Sequence, residues 1–168
     1  MNILLLGATG SIGDSVLSVI EENHSELNLF GITFHKNINK SQEIIKDFKP
    51  EFAYVEDRFT FEDLKDTSDI TFLNGDSSLK ELIEHDDVDV IISAISGFAG
   101  LKATYLAAST GKKILLANKE SIVAGGDLIT ARAKKFNSKI IPIDSEHNAI
   151  FQCLSGPVSY THLTLPTT

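Results

Sequence analysis

The sequence predicts an α/β fold: a doubly wound, mostly parallel sheet with helices on both faces. Three observations predict it. Six short apolar runs, at residues 3–6, 29–34, 52–55, 88–92, 114–117 and 140–143, are nearly continuous in apolar residues, as strands covered on both faces are. Longer helix-like stretches separate them, which is the rhythm of βαβ units. A glycine-rich turn joins the first run to the first helix-like stretch. With 168 residues, 42% of them hydrophobic, one sizeable core is the expectation.

Taken in order, the strand at 3–6 enters Gly7-Ala8-Thr9-Gly10-Ser11-Ile12-Gly13, and the spacing predicts a helix over 11–22 with Ile12, Val16, Val19 and Ile20 on one face. Strands at 29–34 and 52–55 follow, then a brief amphipathic helix at 79–83 and strands at 88–92 and 114–117. Length and flanking residues decide for strand here, since periodicity alone does not exclude buried helix. The stretch 119–135 holds Gly125 and Gly126, each costing a helix interior about 1 kcal/mol relative to alanine, so a helix is expected to begin or resume near Asp127. After the strand at 140–143 a helix is expected to run on through 148–154. From Gly156 onward Thr and Pro stand where another element is due. The expectation is a tail foreign to the domain, joined in place of the natural continuation, with a disordered terminus as the alternative.

Composition narrows the partners. Fifteen basic against 23 acidic side chains leave a net charge of −8, a field that repels nucleic acid and anionic lipid. Any phosphate must then be held by a local set of donors. The lone Cys153 forms no internal disulfide, the chain opens on strand-like Asn2-Ile3-Leu4-Leu5-Leu6, and no apolar run approaches the roughly 18 residues of a membrane span. A cytoplasmic protein with neither nucleic-acid nor membrane partners is expected.

The glycine turn is the first candidate site. Glycines between a strand and a helix let the backbone approach a pyrophosphate while helix N–H groups face the anion, the device of Rossmann-like folds. The spacing is G-x-x-G-x-x-G and not the commoner G-x-G-x-x-G. Beyond the second strand stands His35-Lys36-Asn37, with no acidic residue to accept from a ribose 2′-hydroxyl. Lys36 and Asn37 suit a 2′-phosphate, so NADP is favoured over NAD, against the plainer reading of a solvated turn.

Two later strands also end in polar clusters. Leu115-Leu116-Ala117-Asn118-Lys119-Glu120-Ser121 puts an amide, an ammonium and a carboxylate where open α/β sheets bind ligands, although Lys119 and Glu120 equally suit a solvated first helical turn. Pro142-Ile143-Asp144-Ser145-Glu146-His147-Asn148-Ala149-Ile150-Phe151-Gln152 brings two carboxylates together, which suits a hard divalent cation. Asp144 serves equally well as a helix N-cap, and His147 as a surface residue. Two carboxylates undersupply a metal, so further ligands must come from elsewhere.

These three motifs, in this order and spacing over about residues 1–154, resemble the 1-deoxy-D-xylulose 5-phosphate reductoisomerase family. The resemblance implies an NADPH-binding Rossmann-like domain at 1–154 with the start of a metal and catalytic segment at 142–154, and leaves 155–168 as the foreign or disordered tail that the Thr and Pro content suggests. It implies NADPH and a divalent metal (Mg²⁺, Mn²⁺ or Co²⁺) as cofactors. The implied reaction converts 1-deoxy-D-xylulose 5-phosphate to 2-C-methyl-D-erythritol 4-phosphate in non-mevalonate isoprenoid biosynthesis, with the full-length protein a homodimer. Carried over, Thr9, Gly10, Ser11, Ile12, Lys36, Asn37, Asn118 and Glu120 contact the cofactor, and Lys119 and Ser145 the sugar-phosphate substrate. Asp144 and Glu146 hold the metal, with Lys119 and Glu146 as catalytic residues. His35 departs from the family's glycine, and the family continues with a further acidic ligand, a substrate loop and a helical domain. The chain alone is therefore expected to bind NADPH weakly and not to turn over.

Other classes fit less well. A short-chain dehydrogenase needs a tyrosine followed four residues later by lysine, whereas Tyr54, Tyr105 and Tyr160 are followed by Arg58, Ser109 and Thr164. A semialdehyde dehydrogenase needs a nucleophilic cysteine, and Cys153 sits in an apolar helical context. A non-catalytic NADP sensor would keep the glycine turn but needs no carboxylate pair.

Overall fold

The computed structural model describes residues 1–67 and 69–155. Strands β1 (Asn2–Leu6), β2 (Asn28–Phe34), β3 (Phe52–Val55), β4 (Thr71–Leu73), β5 (Val90–Ser93), β6 (Lys113–Leu116) and β7 (Lys139–Pro142) form one sheet in the order β4-β3-β2-β1-β5-β6-β7. All six pairings are parallel. Right-handed crossovers then place the helices that lead outward on either side of β1 on opposite faces.

Alternation along β1 makes two cores. Ile3 and Leu5 join the layer built with α1 (Ser11–Glu22), α2 (Ile38–Phe48) and α3 (Arg58–Leu64), through Leu17 and Ile20, Ile44 and Ile45, and Leu64. Leu4 and Leu6 join the opposite layer, with α4 (Asp76–Glu84), α5 (Leu101–Ala107) and α6 (Lys119–Phe136), through Leu79, Leu82 and Ile83, Ala103 and Ala107, and Ile129 and Ala133. Helix α7 (Ser145–Ser155) follows β7.

Most expected elements are present, with informative shifts. The fifth strand lies at Val90–Ser93, because Val88 is spent on a turn, its N–H donating to the His85 carbonyl at 3.1 Å. Strand β4 and helices α2, α3 and α5 add to the expected set, while α4 extends the brief 79–83 segment at both ends. Helix α1 has the expected bounds and half of the expected face: Ile20 is buried and Val16 partly buried against the core, but Gly13 and Leu17 complete that face while Ile12 and Val19 stay 37% and 52% exposed. The apolar pattern is wider than one stripe, and the sheet takes the side that glycine lets closest. A Cβ at Gly13 would lie 2.2 Å from the Ala8 carbonyl oxygen.

Helix α6 starts at Lys119, ahead of the glycines, since Asn118 caps it. It leaves helical geometry at Gly125 (φ −146°, ψ 26°) and resumes beyond. That glycine is buried, and a Cβ there would approach Leu101 Cδ1 at 2.9 Å. Of the expected tail, Ser155 closes α7 and 156–168 lie outside the described residues.

Candidate functional site

The strand order reverses between β1 and β5, and at such a switch point the loops leaving the carboxyl ends part to form a crevice. A cleft of about 540 Å³ opens there, lined by Gly7, Thr9, Gly10 and the ends of β2, β3 and β5. Gly7 fixes its floor. The Gly7 N–H donates to Thr33 Oγ1 at 2.9 Å and to the Thr33 carbonyl at 3.1 Å, and φ of 88° turns the chain away from β1. A Cβ there would lie 2.8 Å from the Ala94 backbone, so only glycine lets the β1 and β5 ends approach this closely.

Gly10 is the N-cap of α1 and offers no side-chain cap, leaving the first-turn N–H groups directed at the cleft side of the helix end. Thr9 and Gly10 line the cleft, Ser11 is exposed at the first position of α1, and Ile12 faces the other side of the helix. At the end of β2, His35 lines the cleft while Lys36 and Asn37 stand exposed at its rim. Lys36 Nζ pairs with Asp57 Oδ1 at 3.3 Å, and Asn37 Oδ1 accepts from the Lys40 N–H at 3.2 Å as the N-cap of α2. Asp57 caps α3, accepting from the Thr60 N–H and hydroxyl, both at 3.0 Å. The Thr60 N–H first, then its hydroxyl and Lys36, outweigh desolvation and hold this carboxyl below the usual range.

The end of β6 is built around Asn118. It is buried, and its Oδ1 accepts from the Ser121 N–H at 2.6 Å, capping α6. Its Nδ2 donates to the carbonyls of Ile95 and, at 2.9 Å, Gly97. The side-chain amide thereby holds the loop after β5 against the start of α6, while Lys119 and Glu120 project from that first turn, both exposed. Behind it, Ser93 Oγ lies 2.8 Å from Thr104 Oγ1, which donates to the Gly100 carbonyl. A buried hydroxyl pair thus secures the same loop from below.

At the end of β7, Asp144 precedes α7 and Ser145 is exposed at its first position. Asp144 Oδ1 accepts from the His147 N–H at 3.0 Å and approaches His147 Nδ1 at 2.7 Å, so the cap alternative is realised. Burial alone would raise this carboxyl, but the His147 backbone and ring bonds prevail and hold it below the usual range. The carboxylate is a hard oxygen donor of the kind Mg²⁺ or Mn²⁺ takes. Among the described residues no group of three or more His, Cys, Asp or Glu could hold a metal, and the Glu146 side chain lies outside them. Asp144 therefore fits a divalent cation in chemistry while leaving most of its coordination to other donors. Asp144 and Ser145 share with Ile12 the lining of a second groove, about 580 Å³, beside α1.

The structure brings forward residues that motif reading passed over. Tyr54, Glu56 and Lys102 line the outer end of the cleft, and the Tyr54 hydroxyl donates to Glu56 Oε2 at 2.9 Å. Burial and then the Glu56 carboxylate push the Tyr54 phenol well above its ordinary range, so it remains a donor. Lys102 pairs with Asp76 at the same end. Polar residues directly after a buried strand were the available signal, at Glu56 as at Asn118. No helix among the described residues is long and apolar enough to cross a membrane.

Comparison with known proteins agrees with this geometry. The family model described as 1-deoxy-D-xylulose 5-phosphate reductoisomerase matches residues 3–126. A protein of that name from Francisella tularensis subsp. novicida is 48% identical over 92% of this chain, and one from Ruthia magnifica is 41% identical over 92%. The chain spans 40% and 41% of the length of those relatives. A reductoisomerase crystallised with NADPH, fosmidomycin and magnesium superposes with a TM-score of 0.87 at 40% identity, covering 91% of this chain and 38% of that one. The Zymomonas mobilis enzyme in complex with NADPH gives 0.84 at 37% identity, covering 90% and 41%. A homoserine dehydrogenase from Thiobacillus denitrificans, 17% identical with a TM-score of 0.57, shares the fold alone. On its motifs, its strand order and these matches, the chain belongs to the 1-deoxy-D-xylulose 5-phosphate reductoisomerase family.

Proposed function

We propose that this chain is the NADPH-binding part of a cytoplasmic reductoisomerase that converts 1-deoxy-D-xylulose 5-phosphate to 2-C-methyl-D-erythritol 4-phosphate in isoprenoid biosynthesis, working as a homodimer at full length. The observation that carries the reading is the joint presence, at neighbouring strand ends, of a side-chain-free helix N-terminus at Gly10 and a lysine at the end of β2. The domain is 1–154, its metal and substrate segment beginning at 142.

When bound, NADPH supplies the reducing equivalent and the divalent cation polarises the substrate's oxygens. The chain's own residues bind and orient. Ser11 and Ile12 present first-turn N–H groups of α1 to the pyrophosphate, whose charge the helix terminus favours, and Thr9 and Gly10 shape the turn that receives it. Lys36 exchanges Asp57 for the 2′-phosphate, and Asn37 keeps α2 capped beside it. Asn118 positions the loop after β5 and the first turn of α6, from which Glu120 reaches the cofactor and Lys119 the substrate phosphate or hydroxyls. Ser145 offers a hydroxyl to the substrate, and Asp144 and Glu146 would hold the cation.

Nicotinamide fluorescence tests the first half of this. Titrating the chain with NADPH is expected to give saturable binding that NADH does not match, and equal affinity for the two would overturn the reading of Lys36. Turnover tests the second half. With 1-deoxy-D-xylulose 5-phosphate, NADPH and Mg²⁺, the chain alone is expected to leave NADPH unconsumed, whereas the same sequence fused to the remaining 60% of the Francisella relative consumes it. Consumption by the chain alone would show that the missing part is dispensable.

A further inference from the structure

The sheet fixes the direction in which a dinucleotide lies. Neighbouring strands sit about 4.8 Å apart, so moving from β1 to β3 travels roughly 9.6 Å across the carboxyl edge. With the pyrophosphate at the turn after β1 and the ribose at the end of β2, the purine falls over the end of β3. Glu56 follows β3 directly, and it is the one carboxylate among the described residues that line the cleft.

The surroundings suit a flat aromatic base. Leu79, Ala99 and Ala103 give apolar, mostly small side chains to the cleft wall, and the buried Tyr54 lines the same cleft. The Tyr54 hydroxyl donates to Glu56 Oε2, which holds one oxygen of this exposed carboxylate in place and leaves the other open to accept. An ionised carboxylate only accepts, and of the purine bases met in dinucleotides, adenine is the one with an amine at position 6.

We propose that Glu56, held in place by Tyr54, accepts a hydrogen bond from the exocyclic amine of the cofactor's adenine and makes the cleft selective for adenine over a 6-oxo purine. The proposal rests on the NADPH reading above. Held in the seat that adenine takes, a 6-oxo purine turns an oxygen toward the carboxylate and must shift to offer its N1–H instead, so the cleft loses the charge-assisted bond made to the amine in that pose. Glutamine at this position both donates and accepts, and so serves either base. Phenylalanine at Tyr54 keeps the wall and frees the carboxylate.

The test titrates the full 168-residue chain with NADPH and with its hypoxanthine analogue, both followed by nicotinamide fluorescence. The wild-type chain is expected to bind NADPH roughly tenfold to a hundredfold more tightly than the analogue. Glu56→Gln is expected to bring the two within about threefold of each other, and Tyr54→Phe to fall between. An unchanged ratio in Glu56→Gln, or no discrimination by the wild-type chain, overturns the proposal while the NADPH reading stands. If neither nucleotide binds, the NADPH reading falls and takes this proposal with it.

Discussion

The two halves of the sheet are finished to different degrees. Around β1, β2 and β3 both faces are covered: Ile32, Leu5 and Ala53 lie under α1 and α2, and Phe30, Leu4 and Tyr54 lie on the α4 side, all buried. Across β5, β6 and β7 one face is closed by α5 and α6, but on the other Leu115 and Ile143 are only partly buried. Beside them Ile12, Val16 and Val19 of α1 line an open groove. The covered half carries the phosphate turn and Lys36, and the half-covered one carries Lys119, Asp144 and Ser145. The proposed nucleotide site thus rests on a closed unit, while the polar residues proposed for substrate and metal stand where packing is incomplete, and where a metal would need ligands the described residues do not supply.

The sharpest way to break this contrast is at the closed end. Gly13→Val is expected to cost on the order of 4 kcal/mol in urea unfolding, because its branched side chain meets the Ala8 backbone, and to abolish NADPH binding. Next comes a matched pair of truncations. Ile32→Ala, fully buried between layers, is expected to cost about 2–5 kcal/mol. Leu115→Ala, at the open groove, is expected to cost about 1 kcal/mol, and equal costs would remove the distinction between the halves. Comparable to the smaller of these, Lys36→Ala is expected to weaken NADPH roughly fivefold to tenfold while moving NADH less than about twofold. Least of all, Asp57→Asn keeps an acceptor for Thr60 but removes the charge beside Lys36. It is expected to tighten NADPH about twofold to threefold, as an exposed pair of this kind is weak, and weaker NADPH binding would mean that Asp57 orients Lys36.

Legibility in the sequence followed the same division. The turn at Gly7 to Gly13 announced its strand and its helix together, and with them the proposed phosphate site, because backbone approach demands glycine and little else does. Strand β4 was hidden, being three residues long at the sheet edge with Thr71 exposed. Helix α5 was hidden too: its buried Ala103, Thr104 and Ala107 give a small-residue face, not an apolar stripe. The buried face of α1 was half legible: Val16 and Ile20 meet the core as the pattern expects, but Ile12 and Val19 extend the apolar pattern to a second side, and a linear pattern does not say where the sheet contact ends. At Asp144 the residues posed cap against ligand as equals, and the structure supplies the cap through His147 without touching the other role. Glu56 was legible only as a polar residue directly after a buried strand, since its meaning depends on β3 lying two places from β1, which only the strand order reveals.

The departure from helical geometry at Gly125 divides α6 into two levers. The longer arm is riveted to the core by Ile129 and Ala133, and the shorter carries Lys119 at its tip. At 1.5 Å of rise per residue the tip stands roughly 9 Å from the pivot, so a tilt of about 10° would carry Lys119 some 1.5 Å. Displacements of that size decide whether a charged group meets its reactant, and here such a tilt works against the buried Ser121 and the Asn118 bonds to Ile95 and Gly97 that seat the short arm.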